Sequence, residues 1–419
     1  MAKNMLIGQS GGPTAAINAS LAGAVQAAMQ ADGIAEIYGS FNGLEGVLRR
    51  HIIDLRAALK TPEDFELLKA TPAMALGSCR LRLAAQPDEK YRKILETFRA
   101  YGIGCFFYIG GNDSMDSVRK LHDYFRAAGE DIRVVGIPKT IDNDLPCTDH
   151  TPGFPSAAKF VATSVAEIAC DSFVYDRPSV TIAEIMGRNA GWLTAASVLS
   201  REAAFGAPHL IYLPESNFDP ERFLADVRRL LGEVRNVIVA VAEGIRLRDG
   251  RYVSEASQSG VADAFGHKDL AGAGKWLERL VRREIGCKVR SVELNVLQRS
   301  AAHLCSDVDI REAQGVGAAA VHLALAGHSG VMATISRSAS EPYAVSYGHV
   351  PVGLVANQVR NVPREWITPE GGDVTGEMLA YLRPLVQGEN PFFFLHGVPR
   401  LFRFARNYVH PGRKAALSQ

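Results

Sequence analysis

The chain has 419 residues, enough for two or three domains or for two large lobes sharing one cleft. Apolar residues make up 47% and charged residues 22%, with 46 basic side chains against 45 acidic ones and a net charge of +1. These numbers read as a soluble globular protein and give no reason to expect nucleic acid or an anionic membrane as partner. No run of about 18 apolar residues occurs, which excludes a spanning helix.

The opening residues do not read as a secretory leader. The six cysteines, Cys79, Cys105, Cys147, Cys170, Cys287 and Cys305, form no CxxC pair and no zinc spacing. They are expected to be buried free thiols in a reducing, cytoplasmic compartment.

Residues 5–8 (MLIG) predict a buried strand, and 13–31 a helix with Ile17, Leu21, Val25 and Ala28 at helical spacing. IGCFFYIG (103–110) predicts a second strand and 114–128 a second helix. VVGIP (134–138) predicts a third strand that runs straight into KTIDND. SVTIAEIMG (179–187) reads as a strand, with a helix over about 189–201. HLIYLP (209–214) precedes a helix over about 218–232, and VIVAVAEG (237–244) is a clean buried strand. The polar stretch 244–268 reads as a surface excursion, followed by a basic helix over about 269–285, a strand at 290–298 and a helix at 311–327. Alternating strand and helix implies an α/β chain with mainly parallel sheets, and ligands at the carboxyl ends of the strands.

Four turns at such ends carry candidate chemistry. GQSGGP (8–13) and GGNDSMD (110–116) each join a strand to a helix, where glycines let backbone N–H groups close around an anion. A ligand-free tight connection and a capping turn through Asp113 or Ser114 are the plainer readings of these two. PKTIDND (138–144) sets Lys139, Asp142 and Asp144 close together, and residues two apart in an extended segment face one side. Such a group suits phosphoryl transfer: one acid takes the hydroxyl proton, another holds Mg²⁺, and the lysine offsets phosphate charge. In IMGRNAGW (185–192), Arg188 stands where a guanidinium can grip phosphate oxygens.

Together these turns resemble the phosphofructokinase family. The markers are SGG (10–12), LGSCR (76–80), GGNDS (110–114), PKTIDND (138–144), MGR (186–188), AEG (242–244) and LQR (297–299), and the resemblance extends to about residue 370. It implies two Rossmann-like three-layer domains with the active site in the cleft between them. The phosphoryl-donor domain is expected over 1–155 plus about 299–345, and the sugar-phosphate domain over about 156–298 plus 346–419. By resemblance, Asp142 is the general base toward the sugar 1-hydroxyl, Thr140 its neighbouring contact, and Arg188 the stabiliser of the transferring group. Gly11, Gly12, Arg80, Gly111, Asn112, Asp113 and Lys139 fall at donor positions. Met186, Gly187, Glu243 and Arg299 fall at sugar-phosphate contacts, and Arg290 at an arginine that reaches a neighbouring subunit's site. Asn112 and Asp144 fall at the Mg²⁺ site.

ATP-using relatives typically carry glycine at the positions of Asp113 and Lys139, so this pair resembles the pyrophosphate-dependent branch. Like charges about 4 Å apart repel by about 1 to 4 kcal/mol at dielectrics of 80 to 20, and about 1.4 kcal/mol is tenfold in binding. A carboxylate beside an α-phosphate therefore disfavours ATP, while the ammonium holds a bare diphosphate. The expected reaction joins fructose 6-phosphate and pyrophosphate, reversibly, in a homodimer acting in glycolysis and gluconeogenesis. An ATP-dependent enzyme, an NAD or lipid kinase of the same superfold, and a non-catalytic metabolite sensor are the rivals. Three departures stand out: Asn112 replaces an aspartate near the metal, Val296 replaces a histidine on the sugar phosphate, and Ser179 replaces a partner-donated arginine.

Overall fold

A run that is apolar on both faces needs cover on both faces, and IGCFFYIG is buried at every position. In the computed structural model, which describes residues 2–257 and 272–411, this run lies inside a seven-stranded sheet. Its first five strands in chain order are β1 (Lys3–Gln9), β2 (Ile34–Ser40), β3 (Ile52–Asp54), β4 (Ile103–Gly110) and β5 (Arg133–Pro138). The second half of the chain supplies β6 (Ser179–Ile185), β7 (Leu210–Tyr212), β8 (Asn217–Phe218), β9 (Asn236–Ala242), β10 (Arg246–Leu247) and β11 (Lys288–Glu293). The chain then returns to the first sheet with the hairpin β12 (Val331–Ser340) and β13 (Tyr343–Pro351).

The first sheet has the order β13-β12-β5-β4-β1-β2-β3. From β12 to β2 neighbours run parallel, and only the two outermost pairs are antiparallel. The second sheet, β11-β6-β9-β7, is parallel throughout, and β8 pairs with β10 in a small ribbon beside it.

Alternate residues of each strand face opposite cores. Met5, Ile7, Phe107 and Ile109 pack under the helices Ile17–Gln30 and Asp307–Leu325, while Leu6, Phe106 and Tyr108 pack under Glu89–Ala100 and Asn112–Ala127. The first helix pair touches backbone to backbone: a Cβ on Gly23 would lie 1.9 Å from the Gln314 carbonyl oxygen, and one on Gly317 would lie 2.1 Å from that of Ser20. In the second sheet Ala183, Ile185, Ile238 and Ala240 meet the helix Phe154–Phe173. Val180, Ile182, Val239 and Val241 meet the helices Pro220–Glu233 and Ala273–Glu284.

The expected α/β architecture with mainly parallel sheets is present, and several local expectations need correction. The first helix begins at Ile17 rather than 13, because Ser10–Ala16 are used in the turn. The strand expected over 290–298 ends at Glu293 and gives way to a 3₁₀ turn over Asn295–Arg299. The helix expected over 189–201 is a single turn, Trp192–Ala195, that tightens into a 3₁₀ segment over Ala196–Glu202. Residues 258–268 of the expected excursion and 269–271 of the expected basic helix lie outside the described residues. The first sheet takes in 331–351, so the boundary expected near 345 falls inside β13. The chain's end also returns to the first lobe, where Phe404 is buried and Val409 N donates to Ile52 O at 2.8 Å. All six cysteines are unpaired; Cys79, Cys105 and Cys305 are buried as expected, but Cys147 and Cys170 are exposed. Among the described residues no helix is long and apolar enough to cross a membrane.

A buried ion cluster ties the loop after β5 to the helix Asp307–Leu325. His150 is wholly buried between Asp149, 2.8 Å from Nδ1, and Glu312, 2.5 Å from Nε2. Burial alone lowers the imidazole pKa, but the two carboxylates outweigh it and raise it from 6.5 to about 9. A folded value above the unfolded one means stabilisation is complete below the unfolded pKa and is lost as pH rises through about 9. The melting temperature should therefore fall from neutral pH through about 9 in the native chain, and much less in His150→Gln, which should already be less stable at neutral pH. Parallel pH profiles for the two proteins would remove the imidazolium from this role.

Candidate active site

Parallel strands end together, so the loops after β1, β4 and β5 emerge side by side, as do those after β6, β9 and β11. The two sets face one cleft of about 710 Å³. On the side of the first sheet, the Ser10 and Ser114 hydroxyls hydrogen-bond to each other and join the first two glycine turns. Gly110 makes that approach possible, since a Cβ there would lie 2.0 Å from Ser114 Oγ and 2.8 Å from Ser10 Oγ. Ser78 Oγ, two residues before Arg80, donates to Gly11 O at 2.7 Å. Lys139 runs beneath the first turn, 2% exposed, and its ammonium donates to Gly12 O at 2.7 Å.

Asp113 stands in the first turn of the helix Asn112–Ala127, where the helix dipole attracts negative charge. The carboxylate is half-exposed at this helix start and lies 3.6 Å from Arg82. Asn112 turns its side-chain amide to the neighbouring segment, donating to Gln358 O and accepting from Asn357 N.

The acid loop is not the extended segment its spacing predicts. Asn143 takes a left-handed conformation, φ 54°, yet both Asp142 and Asp144 line the cleft. Asn143 is buried, with its amide bonded to Tyr381 Oη at 2.9 Å and to Thr151 N at 3.1 Å. Thr140 Oγ1 accepts from Asp142 N at 3.1 Å and donates to Asp142 Oδ2 at 3.4 Å. Burial raises the pKa of both acids, to about 7 for Asp144, where Asp142 adds like-charge repulsion. Burial lowers Lys139 to about 8, against the pull of Asp142 and Asp144.

On the facing side, Met186 N donates to Gln298 Oε1 at 3.2 Å and Gly187 N to Glu243 Oε1 at 3.5 Å. Burial and then Asp142 push Glu243 up to about 7. Arg299 crosses toward the first glycine turn, its Nη1 3.5 Å from where a Cβ on Gly12 would sit, and burial lowers its pKa.

The cleft therefore gathers Gly11, Gly12, Arg80, Gly111, Asn112, Asp113, Lys139, Thr140, Asp142, Asp144, Met186, Arg188, Glu243 and Arg299. Gly187 contributes its backbone through Glu243. Arg290 lies elsewhere, beside a separate 290 Å³ cavity and paired with Asp171 at 3.0 Å. Ser179 is buried against Asn236, and Val296 is 49% exposed. Glu184, Glu293, Gln298, Asn357 and Val359 also line the cleft and were not anticipated. Gln298 lies inside the LQR marker, whereas residues 357–359 carry no motif.

Two covered parallel sheets that aim glycine turns, buried carboxylates and cations into one cleft define a two-lobed α/β phosphotransferase. Residues 4–324 match the family described as Phosphofructokinase. The chain is 38% identical over 411 residues, 97% of each protein, to the pyrophosphate--fructose 6-phosphate 1-phosphotransferase of Halomonas elongata. It is 40% identical over 411 residues, again 97% of each, to that of Rhodospirillum rubrum. The crystal structure of the pyrophosphate-dependent phosphofructokinase from Marinobacter aquaeolei superposes with a TM-score of 0.87 at 35% identity, covering 100% of both chains. The chain belongs to the phosphofructokinase family.

Gly244 explains the AEG marker sterically. A Cβ there would lie 2.1 Å from Arg188 O and 2.6 Å from Gly187 O, and Gly244 N donates to Gly187 O at 3.2 Å. Gly244→Ala should displace the arginine turn and lower kcat/KM by about 10²-fold with the fold retained. Steady-state kinetics beside circular dichroism checks this, and wild-type kinetics would show that the turn tolerates the shift.

Proposed function

We propose that this chain transfers a phosphoryl group from pyrophosphate to the 1-hydroxyl of D-fructose 6-phosphate, giving fructose 1,6-bisphosphate and phosphate. The observation that carries the donor assignment is Asp113 in the first turn of the donor-side helix, with Lys139 buried under the facing glycine turn. The names of the full-length relatives support the same donor. The lobe around the first sheet takes the diphosphate and the lobe around the second the sugar phosphate.

Asp142 accepts the hydroxyl proton, and burial, which raises its pKa, makes it a stronger base than a solvated carboxylate. Thr140 fixes its rotamer through the two bonds described above. Arg188 and Lys139 offset the charge that spreads over the transferring group. Lys139, with a pKa of about 8, becomes more firmly protonated once a diphosphate replaces solvent beside it. Met186, Gly187, Glu243 and Arg299 line the sugar-phosphate half. Arg290 is assigned to the equivalent site of a second copy, in a cytoplasmic homodimer; the six unpaired cysteines fit a reducing compartment.

The site fits Mg²⁺. Among the described residues no group of three or more His, Cys, Asp or Glu could hold a metal, but Mg²⁺ is commonly held by one or two carboxylates plus substrate phosphate oxygens. Asp144, pushed up to about 7 by burial and by Asp142, is the carboxylate a cation would relieve. When bound, Mg²⁺ supplies charge neutralisation on the diphosphate oxygens.

Asp142→Asn should lower turnover by about 10² to 10⁴-fold. Near-normal turnover would take the base role from Asp142. The purified chain should use pyrophosphate, should cleave the bisphosphate in the presence of phosphate, and should turn over slowly with ATP. Asp113→Gly should raise ATP use by at least about tenfold, the effect of removing about 1.4 kcal/mol of repulsion. Absence of any gain would show that another feature excludes the nucleotide.

A further inference from the structure

The chemistry above makes no use of residues 357–362, yet this short run fastens three parts of the cleft. At one end it meets the donor turn: Asn112 donates to Gln358 O and accepts from Asn357 N, and Asn357 Nδ2 donates to Asp116 Oδ1 at 3.1 Å. In the middle it meets the acid loop. Arg360 N donates to Asp144 O at 2.7 Å. The Arg360 guanidinium donates to Asn143 O at 3.2 and 2.9 Å, to Thr148 O at 2.7 Å and to Asp149 O at 2.6 Å. The same guanidinium lies 4.7 Å over the Trp192 ring, and Arg360 O accepts from Trp192 Nε1 at 3.0 Å. At the other end Val362 N donates to Glu215 Oε1 at 2.9 Å, and the same oxygen accepts from Gly191 N at 2.9 Å, in the arginine turn.

We infer that residues 357–362 are a strap that positions the donor turn, the acid loop and the arginine turn for transfer, fastened by Asn112 and Arg360, and that Asn112 serves the strap rather than the metal. In-line transfer needs donor and base held to a fraction of an ångström, and these groups stand on different strands. Asn143 is left-handed at φ 54°, and Arg360 holds its carbonyl twice. The guanidinium reaches these three carbonyls from three separate nitrogens in a fixed fork, a spread that a single ammonium nitrogen does not reproduce. Asn112 gives both its donor and its acceptor to the strap, so an aspartate there would leave Gln358 O facing a carboxylate. The inference rests on the reading of Asp142 as base.

The test uses Asn112→Asp and Arg360→Lys in the full chain. Three readouts are needed: steady-state kinetics, amide hydrogen exchange of residues 355–362 in the ligand-free protein, and calorimetric titration of Mg²⁺ with pyrophosphate in the absence of sugar. Each variant should lower kcat by about 10²-fold with KM values within about threefold. Exchange in the strap should quicken by about tenfold or more in each variant. The Mg²⁺ affinity of Asn112→Asp should stay within about threefold of wild type. The double variant should be little worse than the poorer single, because both cut one strap. Unchanged exchange in Asn112→Asp, or a shift of about tenfold in its Mg²⁺ affinity, overturns the inference. If Arg360→Lys does not fold, Asn112→Asp decides alone. Failure of the base assignment would appear separately, as near-normal turnover of Asp142→Asn, and leaves the exchange result standing.

Discussion

The site is organised around one buried cation. Lys139 leaves the end of β5 and buries its whole side chain under the turn that follows β1, donating to Gly12 O at 2.7 Å. Burying an ammonium is costly unless it is paired and hydrogen-bonded. Here Asp142 and Asp144 supply the charge and Gly12 the hydrogen bond, and the residual cost appears as a pKa lowered to about 8. The acid loop must therefore fold back over the lysine rather than continue as strand. That return draws in Thr140, Asn143 and Thr151, and through them the polar cluster at Tyr381 and Asp149. The order β5-β4-β1 makes the arrangement possible, since it sets the lysine, the second glycine turn and the first glycine turn on adjacent strands.

Sterics set the second constraint. Gly110 and Gly244 each stand where any Cβ would overlap a neighbouring atom, one beside the serine pair and one against the arginine turn. Gly23 and Gly317 do the same for the helix pair beneath the first sheet, far from the cleft. Glycine thus has two uses in this chain: bringing the loops of the cleft into close contact, and bringing two elements close enough that the loops above them register. The second keeps the first accurate, because a helix displaced by a methyl group would carry its turn with it.

Much of this was legible in the sequence. Apolar runs bounded by glycine turns identified β4, β5 and β9, and the motifs named fourteen side chains and turns that do meet in one cleft. What failed did so for physical reasons. The outer half of β12 and all of β13 alternate small, polar and aromatic residues on a half-exposed hairpin, so no buried run announces them. The spacing of Asp142 and Asp144 suggested an extended strand, but Asn143 reaches the same convergence through a left-handed kink that the loop's tertiary partners hold in place. Residues 357–362 contribute mainly backbone groups and one arginine whose partners are carbonyls. Backbone recognition leaves little trace in side-chain pattern, so this part of the site was invisible.

The charge of the cleft makes sense only with its ligands in view. Asp113, Asp142, Asp144, Glu184, Glu243 and Glu293 line it against Arg80, Lys139, Arg188 and Arg299. A simple anion trap would not carry so many acids. Two of them, Asp144 and Glu243, have pKa values pushed to about 7, so near neutral pH each holds a proton part of the time. The acids differ in place: the proposed reaction gives Asp113 to donor choice and Asp142 to the proton, while Glu184 accepts from Gly272 N and Gly274 N at the head of a helix. Arg80, Lys139, Arg188 and Arg299 supply the positive charge that the proposed reaction sets against phosphate. On the proposed assignment, selectivity for a small, highly charged donor would follow, because a ligand must bring enough negative charge, within a short length, to satisfy the cations without reaching Asp113.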